Sequence, residues 1–239
     1  PLDTHKLNFA NSTLVESESL AVGYLANTGS PAQTRIFSER KEPRDFLFAD
    51  AYDYYITDPQ NAQYYNTKIP YTNVMYTTMG GSESKNERLK GTLTMNFGPK
   101  INVGGDLDYI YSRGYYKNNG NKLLSYRLFG SYKSDRYEAH AYLSNFNFIN
   151  YENGGLANDS VITNPDQYFA GERNQDDPKA FNTRYPVKAW NRVRGKQYFL
   201  SHHYNLGFER ELEGEVDTLG NPVKVFIPVS SIIHTLEYQ

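Results

Sequence analysis

The chain has 239 residues, an apolar fraction of 38%, 22 Tyr and 13 Phe, so it can hold one or two domains but is poor in aliphatic core formers. Its mean hydropathy of -0.71 and lack of a long apolar run exclude a transmembrane helix, though not strands that are apolar on one side only. A net charge of -2 with no basic stripe argues against nucleic acid, and the absence of cysteine removes disulfides and thiol chemistry.

The chain opens at Pro1 without a charged and then apolar leader, and residues 232–239 close it in strand-like sequence; both are expected of a segment of a longer protein. Up to Phe46 the strand signal is patchy. Leu20, Val22, Tyr24 and Ala26 alternate, 27–31 reads as a turn, and 34–38 as a short strand. The charged run 39–45 reads as a solvated loop, and 46–56 as aromatic β-sequence ended by Thr57-Asp58-Pro59. Residues 64–71 hold Pro70 and predict an edge or turn segment; Thr72, Val74, Tyr76 and Thr78 begin the next strand.

From Arg88 to Leu143 the alternation is strict. Leu89, Leu93, Met95 and Phe97 share one face with Ile101, Val103, Leu107, Tyr109 and Tyr111, and then with Tyr126, Leu128, Tyr132, Tyr137, Ala139, Ala141 and Leu143. Arg88, Lys90, Asp106, Asp108, Arg127, Glu138 and His140 lie on the other. Pairing Phe97 with Ile101 sets Lys90 across from Asp108. A two-residue loop at Ser134-Asp135 sets Gly130 against Ala139 and Ser131 against Glu138. Aromatics collect at the strand ends: Phe97, Tyr132 and Tyr137 beside the tight turns, Tyr109, Tyr111 and Tyr126 at the far end. Two such belts around an aliphatic band are the pattern of a barrel wall facing lipid.

The connections alternate short and long, with a loop at about 147–195 that ends in Arg184, Lys188, Trp190, Arg192, Arg194 and Lys196. One reading leaves it exposed; the other folds it inward as a constriction with Arg192 and Arg194 favouring anionic solutes. Strand sequence resumes at 198–209, where His202 interrupts the apolar face; 211–222 reads as a turn region and 225–238 as the last strand.

No catalytic constellation occurs. His202 and His203 point to opposite faces of a strand, and His5, His140 and His234 have no metal-ligand spacing. Glu211, Glu213 and Glu215 read as a solvated cluster, and Asp176-Asp177 lacks the spacing of a calcium loop. No enzyme activity, metal or cofactor is expected.

The stretches 46–52 (FLFADAY), 65–71 (YNTKIPY) and 226–235 (FIPVSSIIHT) resemble the putative porins of Bacteroidota outer membranes, and the likeness covers most of the chain. The resemblance implies an outer-membrane location in a Gram-negative bacterium, passive diffusion of small solutes and barrels longer than this chain. It supplies no binding residues. Asp159-Ser160-Val161 and Asp217-Thr218-Leu219 are similar to the short O-glycosylation acceptor pattern of such bacteria.

The expectation is therefore an all-β, antiparallel, up-and-down transmembrane β-barrel. Residues 1–239 would form a single segment of about nine or ten strands of a larger barrel. Its pore would be lined by Arg88, Lys90, Asp106, Asp108, Arg127, Glu138 and His140. Its partners would be outer-membrane lipids, small solutes and, as homo-oligomer or otherwise, other outer-membrane proteins. The alternatives are part of a gated transporter barrel, which needs a plug, and a secreted β-rich glycan-binding or adhesion module.

Overall fold

The computed structural model describes residues 21–24, 27–81, 84–164, 182–185, 187, 189–216 and 222–239, with the side chains of 161, 212–216, 222 and 223 left aside. Strands β1 (Val22–Tyr24) and β2 (Ala32–Thr34) form a small antiparallel pair. Three 3-10 helices follow at Phe37–Glu39, Leu47–Tyr55 and Pro59–Asn61. Then come β3 (Tyr71–Met79), β4 (Asn86–Phe97), β5 (Ile101–Ser112), β6 (Asn121–Lys133), β7 (Tyr137–Glu152), β8 (Ala189–Val216) and β9 (Pro222–Tyr238). These last seven make one antiparallel meander in sequence order, with β3 and β9 at its edges, so the sheet is open. Among the described residues no helix is long and apolar enough to cross a membrane.

The alternation sets the register. Phe97 pairs with Ile101, Met95 with Val103, and Lys90 with Asp108, as the faces require. The β6–β7 hairpin differs from expectation by two residues. Gly130 faces Ala141 rather than Ala139, and Lys133 rather than Ser131 faces Glu138. The cause is the turn, whose two central residues are Asp135 and Arg136 rather than Ser134 and Asp135, closed by the Ser134 amide on the Tyr137 carbonyl at 2.8 Å. An even shift keeps every side chain on its face, so alternation alone cannot see it.

Three other expectations change. The aromatic stretch 46–56 is helical, not β: Leu47–Tyr55 coils as a 3-10 helix and buries Ala49, Tyr52 and Tyr55. Those three are spaced three apart, the repeat that stacks side chains on one edge of a 3-10 turn. Second, β7 runs on to Glu152 and β8 starts at Ala189, so the connection is 153–188 rather than 147–195. It carries the short helix Ser160–Thr163, which begins inside the Asp159-Ser160-Val161 motif, and one bridge, Leu156 to Thr183. Third, the turn region 211–222 shrinks, because β8 continues to Val216 and β9 begins at Pro222, with register shifts at Leu206/Gly207 and Glu211/Val216. Asp176-Asp177 and Asp217-Thr218-Leu219 lie outside the described residues.

Candidate functional site

The polar face is banded across the strands. At the long-loop end, Asn86, Ser112, Asn121, Asn150 and Asn191 form one cross-strand row. The next row is Arg88, Ile110, Leu123, Phe148 and Val193, apolar in all but its first member. Two rows further on, Thr92, Asp106, Arg127, Ser144 and Gln197 are aligned; then come Thr94, Gly104, Phe129, Tyr142 and Phe199. Gly104 leaves room for the Phe129 ring to lie across its backbone, where a Cβ would collide with it. At the tight-turn end stand Asn96, Asn102, Ser131, His140 and Ser201.

A strap formed by residues 27–67 crosses these rows from one end to the other. At the long-loop end the Asn27 side-chain amide donates to the Asn119 carbonyl, and the Asn121 side-chain oxygen accepts from the Ser30 amide at 3.2 Å. Gly29, at φ 80°, sits where a Cβ would come within 2.9 Å of Leu123 and 3.1 Å of Ile110, so the strap approaches the sheet closely only because that residue is glycine. Ala32, Ala49, Tyr52, Tyr55 and Ile56 then pack with Ile110, Leu123, Phe146, Phe148 and Val193 into one buried cluster. The Phe148 ring lies 5.3 Å from Tyr52, 6.4 Å from Tyr55 and 5.2 Å from Phe146. Farther along, Arg127 Nη2 donates to the Gln63 carbonyl at 3.1 Å, and Tyr64 meets Phe129 and His140 edge-on. The strap ends on Asn96, whose Oδ1 accepts from the Thr67 amide at 3.2 Å and whose Nδ2 donates to Asn66 at 2.7 Å.

The charged run 39–45 is therefore more than a solvated loop. Lys41 Nζ lies 2.9 Å from Asp53 and 3.1 Å from Asp58, and Arg44 pairs with the same two carboxylates while its amide donates to Asp50 at 2.9 Å. This clamp folds 41–44 onto the 3-10 helix. Burial opposes the Lys41 charge, but the Asp53 and Asp58 contacts outweigh it and raise the ammonium pKa overall.

Burial pushes the phenols of Tyr52 and Tyr55 up to about 12, and Tyr55 Oη donates to the Ser30 carbonyl at 3.3 Å. A phenol raised in the folded chain stabilises it below pH about 10, the unfolded value, and that contribution disappears as pH climbs toward 12. For Tyr55 the loss is about 3 kcal/mol. Alkaline titration followed by phenolate absorbance is expected to show Tyr52 and Tyr55 ionising late, together with release of the strap.

The sequence-predicted polar residues fall on this one face. Asp108, although across from Lys90, takes the Arg88 guanidinium at 2.5 Å and 3.0 Å. Arg127, 5% exposed, holds Asp106 through Nε at 2.8 Å and also through Nη2, and Thr92 Oγ1 donates to the same carboxylate at 2.8 Å. Glu138 stands 3.6 Å from His140 Nε2 and 3.7 Å from His203 Nε2. Glu138 and His140, with Lys100, Lys133, Tyr64 and Asn102, border a cleft of about 200 Å³ at the tight-turn end. Among the described residues no group of three or more His, Asp or Glu side chains is set to hold a metal ion. Asp106→Asn is expected to lower stability by about 2 kcal/mol, since Arg127 stays buried beside a neutral partner. A fall in the denaturant midpoint of the purified protein checks it.

Arg192 and Arg194 are not in a loop. They sit on β8 opposite Ile149 and Asn147, on the face away from Arg127, and Arg192 lies 5.5 Å above the Trp190 ring. An inward constriction built from these two arginines does not fit that placement. The same outer face carries Phe97, Tyr132 and Tyr137 toward the tight turns, and Tyr109, Tyr111 and Tyr126 toward the other end. His202, which breaks the apolar pattern there, pairs with His234 at 3.2 Å, a contact invisible until β8 and β9 are aligned.

No described element covers this outer face. Leu93, Leu128 and Ile232 are 53%, 54% and 63% exposed, and Leu107, Leu143 and Leu236 are exposed with them. The fold thus defines an antiparallel β protein with one ion-paired, strap-covered face and one bare apolar face. The chain belongs to the putative porin family, whose model matches residues 1–239. No curated protein and no solved structure gives a significant match.

Proposed function

We propose that the chain is an arc of an outer-membrane β-barrel that lets small solutes diffuse passively across the membrane of a Gram-negative bacterium. The observation that carries this reading is the bare apolar face running over all seven strands of the meander. A monomer in water rarely leaves a contiguous apolar patch beyond a few hundred Å² uncovered, whereas lipid covers such a face without further protein. The edges β3 and β9 leave backbone groups that only further strands can satisfy in lipid, which requires a closed barrel. Membership of the putative porin family supports a porin role.

The mode of action is passive, with no bond made or broken. The wall takes membrane lipid on the Leu/Val/Tyr side, and Arg88, Lys90, Asp106, Asp108, Arg127, Glu138 and His140 belong to the pore side. With Arg88 on Asp108 and Arg127 on Asp106, much of the wall's charge is internally compensated, which favours weak selectivity. Two measurements test the reading. Detergent should be needed to extract the protein from membranes, and reconstitution in a planar bilayer should give an ohmic current. Release by salt washing alone would favour a secreted β-rich module and sink the proposal.

A further inference from the structure

We infer that residues 27–67 are a resident constriction within the pore, fixed to one wall, and that solutes meet this strap rather than much of the wall beneath it. The inference rests on the porin reading and concerns which residues set its bore and selectivity.

Four observations converge. First, the strap spans the height of the sheet, anchored at Asn119 and Asn121 at one end and at Asn96 at the other. Second, the wall is shaped to receive it. Ile110, Leu123, Phe148 and Val193 form an apolar row on the face that carries the Arg88–Asp108 and Arg127–Asp106 pairs, and Ala49, Tyr52, Tyr55 and Ile56 fill it. A row of large apolar side chains on a water-lined wall has no use without such a cover. Third, the strap has its own rigidity, from the Lys41 and Arg44 contacts to Asp53 and Asp58. A segment held by a buried cluster, an ion clamp and hydrogen bonds at both ends is a fixed element, not a swinging lid. Fourth, it hides Arg127 from solvent while taking one of its hydrogen bonds on the Gln63 carbonyl.

What the strap leaves in view is its own charge, beside the exposed side chains of Phe37, Phe46, Leu47 and Phe48. Arg35, Glu39, Arg40, Lys41, Glu42 and Asp45 are exposed. The geometry therefore assigns selectivity to this set, together with the cleft at Lys100, Lys133 and Glu138, ahead of the Arg88–Asp108 and Arg127–Asp106 pairs.

The test uses the full-length protein in planar bilayers, with two variants. Tyr52→Ala with Tyr55→Ala removes the strap's anchors and no strand residue. Single-channel conductance should rise severalfold, and residues 27–67 should become open to protease. Arg40→Glu touches no buried residue and keeps the fold, and it should move the reversal potential in a salt gradient toward cation preference. A strap made protease-sensitive with conductance unchanged, or a reversal potential unmoved by Arg40→Glu, would overturn the constriction while leaving the porin reading intact. No current from the unmodified protein or from either variant would overturn both.

Discussion

Phe148→Ala is expected to cost about 3–5 kcal/mol, the range for emptying a large aromatic site in a packed core. Phe148 is 1% exposed and is the ring on which Tyr52, Tyr55 and Phe146 converge. The loss should be local. Phe148 points to the polar face, and its backbone lies opposite Leu123 and Val193 in a ladder whose hydrogen bonds alanine retains. Proteolysis should therefore reach residues 27–67 before the sheet melts, and circular dichroism should keep its β signal while near-ultraviolet signals from Tyr52 and Tyr55 fade. Phe208→Ala, at a site 56% exposed, serves as the comparison and should move stability little. Equal effects of the two substitutions would contradict the cluster as described.

The second expected result is that Leu128→Arg destabilises the membrane-embedded protein by about 2–4 kcal/mol, the penalty for a cation at mid-depth on a lipid-facing strand. Leu128 is 54% exposed and lies between Gly105 on β5 and Leu143 on β7, inside the band bounded by the Tyr132 and Tyr126 levels. In water the same change at a half-exposed position would be nearly neutral. Folding titrations into lipid vesicles measure it directly. A Leu128→Arg protein as stable as the unmodified one would place that face in water. Ser125→Arg, on the same strand as Leu128 but on the opposite face, controls for charge alone.

The sheet was legible in the sequence because alternation over long strands leaves one register that keeps both faces pure. Lys90 opposite Asp108 follows from it. The two-residue error at the β6–β7 hairpin shows the limit, since Ser134-Asp135 reads as a complete loop, and moving the loop to Asp135-Arg136 shifts the register by two without disturbing any face. The strap was hidden for a different reason. Its residues follow neither period two nor period 3.6, and its hold on the sheet comes in part from isolated backbone groups such as the Ser30 amide and the Gln63 carbonyl. One signal was present: Ala49, Tyr52 and Tyr55 at threefold spacing beside Asp50, Asp53 and Asp58, which face the clamp of Lys41 and Arg44. The apolar row Ile110, Leu123, Phe148 and Val193 on the polar side was the matching clue in the strands. Arg192 and Arg194 misled because charge and a tryptophan near the end of a long connection look like loop, when β8 simply extends to Ala189.

The order of strap and strands along the chain has a consequence for biogenesis. Residues 27–67 precede every strand of the meander and lie on the face that closure of a barrel would seal off. A finished cylinder offers no side entrance for a segment tied at Tyr71 to its first strand. Seating must come first, with the nascent hairpins folding one after another around an insert already in position. Lesions in the strap should then show up as stalled intermediates on the assembly machinery as well as altered channels, and strap and wall would have to be matured together.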